Sequence, residues 1–197
     1  MSARNKILSA IASGKPALTP LPVMSIDEVT QYPDPLQKFI STLESIGGKV
    51  IALQNPQDLE LEIKKDMDAG LIVLSTVDQL QAGTTMVTAS QSATELAMLH
   101  KAYIRASIGV AENGAVWIME SQMINRLLPF ICQHLVIVLD KNRIVSTMQH
   151  AYRQIDSFGE GFGVFLAGPS KTADIEQALV IGAHGARSLT LYLTNGS

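Results

Sequence analysis

A chain of 197 residues is long enough to bury one full core and short for two. Apolar residues make up 47% and charged ones 17%, which speaks against a disordered chain, and a net charge of −3 with a pI near 5.8 speaks against a surface that tracks nucleic-acid phosphates. The single cysteine, Cys132, excludes an intrachain disulfide and any four-thiolate cluster supplied by this chain alone, and points to a reducing compartment.

Ala3 to Ala12 places Ile7, Leu8 and Ile11 on one helical face, and Gly14 with Pro16 stops it. Such a helix either packs on its own domain or docks on a partner; packing is the commoner use of an amphipathic segment. Arg4 and Lys6 break up its apolar residues, so no signal-peptide core forms there, and no stretch elsewhere approaches ~20 apolar residues. The expectation is a cytoplasmic protein with neither a membrane nor a nucleic acid as partner. Pro16, Pro20, Pro22, Pro33 and Pro35 make a linker in which no long helix survives. Residues 1–34 therefore read as an N-terminal helix and Pro-rich linker, and residues 35–197 as one α/β domain.

Leu36, Phe39, Ile40, Leu43 and Ile46 recur at helical spacing, with Gly47 and Gly48 as the stop. A strand over Lys49–Leu53, a helix over Pro56–Met67 and a strand over Leu71–Leu74 follow, an alternation that calls for a largely parallel sheet covered on both faces. Ala93–Lys101 fits a helix. Asn113-Gly114, between two apolar runs within Ser107–Met119, is the strongest hairpin signal in the chain. Leu135–Leu139 is a five-residue apolar run suited to a central strand, and Gln149–Ser157 reads as helix.

The C-terminal stretch Gly163–Leu193 carries the densest signal. Val164–Ala167 reads as a strand halted by Gly168-Pro169; Ile175 and Leu179 mark a short helix opening near Ser170; Gly182 and Gly185 end it; and Leu189, Leu191 and Leu193 alternate with Thr190 and Tyr192 as a strand with one face in the core. If the two strands are parallel neighbours, the Ser170 turn opens at a carboxyl edge, where open α/β sheets bind ligands. Ser170, Lys171 and Thr172 would then either bind a carboxylate or phosphate through helix-start N–H groups and the lysine charge, or merely cap the helix. Asp174 and Glu176 fall in its first turn, where negative charge suits the dipole. His184, between glycines, either reaches a substrate or shuttles a proton, or only bonds a turn carbonyl. The four histidines show no metal-ligand spacing.

The words GPSKTADIE and IGAHGARSL resemble the closing motifs of the LUD-domain family, in particular lactate utilization protein C and its YkgG-type relatives. AENGAVWI at Ala111–Ile118 and Arg126 with LLPFICQHLVIVL are similar to two earlier family words, so the resemblance covers most of Ser107–Leu193. It implies a three-layer α/β fold, with a mostly parallel sheet and an inserted hairpin, like NagB, RpiA and the CoA transferases. It further implies an accessory subunit of an L-lactate to pyruvate oxidation system, without a cofactor of its own, beside iron–sulfur partner proteins whose clusters carry the electrons. A small carboxylate would be bound near Arg126, Ser170, Gly182, His184 and Gly185. The word ENG also resembles one class of CoA transferases, which would make Glu112 a nucleophile toward a thioester. The chain departs from the family where Ala102–Ser107 replaces a glycine-bearing word, and where Ala186 replaces a proline after His184-Gly185. Those losses would suit a catalytically silent sensor of small molecules.

Overall fold

The computed structural model describes residues 2–20, 25–77, 80, 84, 87–155, 159–175 and 178–196. Helix α1 (Ala3–Ser13) is capped by Ser2 and buries none of its residues; Ile7, Leu8 and Ile11 are 50–60% exposed. The expected packing of this helix on its own domain is thus absent. Helix α2 (Pro35–Ser45) has proline at its first position, and its N-cap Asp34 accepts a hydrogen bond from the Gln37 N–H at 2.9 Å. It buries Phe39 and Leu43 and stops where Gly47 takes a left-handed φ of 93°.

Strand β1 (Lys49–Ala52), helix α3 (Gln57–Asp68) and strand β2 (Val73–Ser75) follow as expected. Helix α4 is only Ala93–Leu96, closed by a Ser92/Glu95 capping box, and the chain then extends into β3 (Lys101–Arg105). The expected helix to Lys101 fails because Ala102, Tyr103 and Ile104 are recruited between two neighbouring strands and fully buried. Strands β4 (Ile108–Val110) and β5 (Ala115–Met119) form the expected hairpin, with Gly114 at φ 70°. Short helices α5 (Glu120–Met123) and α6 (Leu128–Ile131) lead to β6 (His134–Asp140), β7 (Ile144–Val145), α7 (Met148–Ile155) and β8 (Gly163–Leu166).

Beyond Ser170 the structure corrects the expectation. The segment is not a helix but the antiparallel pair β9 (Lys171–Ile175) and β10 (Ala178–Ile181), followed by β11 (Ser188–Thr194). The Ser170 N–H donates to the Ala186 carbonyl, and the Ser170 carbonyl accepts the Gly182 N–H. Twelve residues of helix would part Ser170 from Gly182 by ~18 Å, so only a chain that doubles back makes both bonds.

The central sheet is entirely parallel, in the order β1-β11-β6-β3-β2. On one face, Leu59 and Ile63 of α3 pack against Val73, Tyr103, Val136, Val138 and Tyr192. On the other, Leu135, Ile137, Leu139 and Leu189, Leu191, Leu193 meet Phe39 and Leu43 of α2 and Val116 and Ile118 of a second sheet. Strand β11 therefore has both faces covered rather than one. The second sheet runs β7-β4-β5-β8, an enlargement of the expected hairpin, and α7 covers its outer side through Ala151. Strand β8 pairs with β5, so it is no neighbour of β11, and the segment between them is not a crossover within one sheet.

Candidate functional site

The turn that follows β8 is pinned from three sides. Gly168, at φ 72°, lies against the end of α2, where an added Cβ would come within 3.1 Å of the Ile46 carbonyl oxygen. Ser170 is held through its two backbone bonds to Gly182 and Ala186 (3.0 and 2.9 Å). Gly185 passes so near that a Cβ there would lie 3.1 Å from the Ser170 Cβ, and at Gly182, whose φ is 79°, a Cβ would fall 2.4 Å from the Arg187 Cγ.

This clamp leaves a pocket of about 220 Å³, lined among others by Phe130, Phe165, Leu166, Ser170, His184 and Gly185. Its walls are largely apolar. His184 is exposed and is, among the described residues, the one ionisable group lining it, so the pocket can take a small molecule with one polar end, met by an imidazole and a hydroxyl. Leu135 and Ala186 place the pocket near the starts of β6 and β11, the amino edge of the central sheet, not the carboxyl edge that a crossover would have made.

The other expected site residues lie apart from it. Lys171 does not line it and instead donates to the Ile46 carbonyl at the end of α2, where a cation complements the helix dipole. With no helix behind Ser170, there is no helix-start anion site; Thr172 pairs with Val180 inside the β9–β10 ladder. Asp174 belongs to β9, and Glu176 lies outside the described residues. Arg126 is on the surface, bonded to Glu120 at 2.7 Å and stacked over the Phe162 ring at 4.4 Å. That contact holds the Glu120 carboxyl below its usual range and the Arg126 guanidinium above it. Glu112, in the hairpin turn, accepts the Met148 N–H at 2.7 Å and so caps α7.

Sequence reasoning passed over a second polar group. Lys101 lies between Glu62 (3.1 Å) and Asp66 (2.5 Å), and the Tyr192 hydroxyl donates to Glu62. Beside them the His100 and His134 rings stand 4.8 Å apart, and His134 Nδ1 shares a 2.8 Å hydrogen bond with Ser188. The four-residue spacing of Glu62 and Asp66 on a helix was the available signal, since it stacks two carboxylates on one face. Burial pushes the Cys132 thiol up to about 12, which removes it as a nucleophile. Among the described residues no three His, Cys, Asp or Glu side chains are placed to hold a metal ion, and no helix is long and apolar enough to cross a membrane.

Residues 74–194 match the family model of the LUD domain. Over 85 residues the chain is 34% identical to lactate utilization protein C of Shouchella clausii, a stretch covering 41% of this chain and 37% of that one. Over 82 residues it is 32% identical to lactate utilization protein C of Bacillus pumilus, covering 39% and 34%. The chain thus matches little more than a third of the length of these curated relatives. A crystal structure of a DUF162 family protein from Deinococcus radiodurans shares the fold, with a TM-score of 0.61 at 16% identity over 81% of this chain and 95% of that one.

Proposed function

Because the chain belongs to the LUD-domain family, we propose that it serves L-lactate utilization as an accessory protein without an iron–sulfur cluster of its own. Its partners in this reading are iron–sulfur proteins that carry the electrons from lactate to the next acceptor. Two relatives named lactate utilization protein C support the assignment to that system. The observation that carries a ligand-binding role is the convergence of Ser170, His184 and Gly185 on one small pocket inside the family-matched region.

L-lactate presents a carboxylate, a hydroxyl and a methyl group. The imidazole of His184 and the hydroxyl of Ser170 can meet the polar end, while Phe130, Phe165 and Leu166 provide apolar wall for the methyl. This chain binds and presents; the hydride or electron chemistry belongs to its partners. Glu112 takes no part, its carboxylate being occupied in holding the start of α7.

The test is genetic and biochemical. A strain of the source organism lacking this gene should fail to grow on L-lactate and recover with the full chain, and an affinity-tagged copy should retain iron–sulfur proteins encoded by the same strain. Normal growth of the deletion strain on L-lactate would refute the assignment. Recovery by His184→Ala and Ser170→Ala as complete as by the unaltered chain would refute the pocket.

A further inference from the structure

Three neighbouring strands of the central sheet begin level with one another, since His134 at the start of β6 pairs in register with Ser188 of β11 on one side and Lys101 of β3 on the other. Residues in one row across a sheet point to one face, and here it is the face that α3 covers, where Glu62 and Asp66 hold Lys101. A cavity of about 210 Å³ opens over this row, with His100, His134, Ser188 and Thr190 in its wall. Leu135 lines both this cavity and the Ser170 pocket, so the two are neighbours at the amino edge. Glu62, Lys101, Tyr103, His134 and Tyr192 all titrate away from their ordinary ranges here, and such displacement gathers at reactive centres.

From this arrangement we propose a second activity, independent of lactate: Ser188 is a nucleophile and His134 its general base, transferring the acyl group of small esters to water. The Ser188 hydroxyl lies 2.8 Å from His134 Nδ1, so in the tautomer with its hydrogen on Nε2 the imidazole accepts the serine proton. The His100 ring packs against that imidazole, 4.8 Å between centroids. Burial first, then His100, Lys101 and Arg187, keep His134 unprotonated, with Asp66 acting the other way; Glu62, on the same wall, is bonded to Lys101 and Tyr192. The same positive surroundings favour the charge that develops on a carbonyl oxygen under attack. In the first step Oγ bonds to the carbonyl carbon as its proton passes to His134, and the bond to the alcohol breaks, the alcohol leaving with that proton. Water, giving a proton to the same imidazole, then attacks the acyl-serine; the acid departs and Oγ recovers its proton. Thr147 and His150 stand equally close, but Thr147 is only 2% exposed and out of a substrate's reach, whereas Ser188 and His134 are half-buried and open on a cavity with room for a short acyl group.

The test is covalent capture on the full chain with a fluorophosphonate, which bonds to an activated serine with loss of fluoride, followed by mass spectrometry of the peptides. One adduct is expected, on Ser188, and His134→Gln should not form it. The labelling rate should hold level from pH 8 to 6.5 and fall only below that, because His134 titrates under its ordinary 6.5. Hydrolysis of p-nitrophenyl acetate should drop about a hundredfold or more in His134→Gln, the range for loss of a general base, and reach the buffer rate in Ser188→Ala. Each variant is compared at an unaltered melting temperature; should either melt early, the position of the adduct on the unaltered chain decides. No adduct, an adduct on a residue other than Ser188, or hydrolysis as fast in folded Ser188→Ala as in the unaltered chain would overturn the proposal. None of these results bears on growth on lactate.

Discussion

Lys101 is where residue-scale energetics are most concentrated. Burial works against its charge, yet the hydrogen bonds to Asp66 and Glu62 outweigh it and hold the ammonium above the usual lysine range. Burial also opposes the Glu62 charge, and here the bonds from Tyr192 and Lys101 win, keeping the carboxyl below its usual range. Replacing Lys101 by Met would leave two half-buried carboxylates facing each other. The expected loss is about 2 kcal/mol, between the values for exposed and fully buried pairs, read from urea unfolding. His134 behaves in the opposite sense to a paired base. Burial, then His100, Lys101 and Arg187, lower its pKa, so the folded chain resists a proton that the unfolded chain accepts below about 6.5. Stability therefore falls as pH drops below 6.5, and Glu62 adds a second loss below its ordinary 4.5. Melting temperatures from pH 8 to 5 should decline for the unaltered chain and decline less for His134→Gln.

Among the elements, the β5–β8 pairing is the tightest fit. A Cβ on Gly163 would fall 2.2 Å from the Trp117 ring, which itself lies 4.7 Å from the Phe165 ring. Gly163→Ala should cost roughly 2 kcal/mol through overpacking, and Trp117, the lone tryptophan, reports the transition by its fluorescence. The elements that sequence made legible are those whose own pattern agrees with their surroundings. Helix α2 has its cap, its apolar spacing and its glycine stop; β6 has an unbroken apolar run; and both form where expected. The stretch after Ser170 misled because Ile175 and Leu179 satisfy a helical repeat by themselves, while a segment that short gains little from helix formation alone. Long-range bonds from Ser170 to Gly182 and Ala186 decide it, and no local spacing records them. The same limit applies to the site. The expected helix would have parted Ser170 from His184, and only the family resemblance named Ser170, His184 and Gly185 together; the doubled-back β9–β10 pair brings them to one pocket, while Arg126, Glu112 and Lys171 each took a partner that only the fold brings near.

At the scale of the whole molecule, two sheets share one interior while α1 stands outside it. Since no residue of α1 is buried, removing the first 15 residues should leave the melting temperature within about 1 °C and the urea midpoint unmoved. A large drop would show that α1 belongs to the folded unit. The remaining architecture is far less divisible. Strand β11 pairs along its length with β6 on one side and with β1 on the other, and its alternate side chains enter both apolar clusters. The sheet consequently cannot close while the ribosome still holds the residues up to Thr194: β1 must wait unpaired and one edge of β6 open, although β2, β3 and β6 can already pair with one another. A premature stop anywhere before Ser188 would then yield no weakened version of the protein, only material for proteolysis.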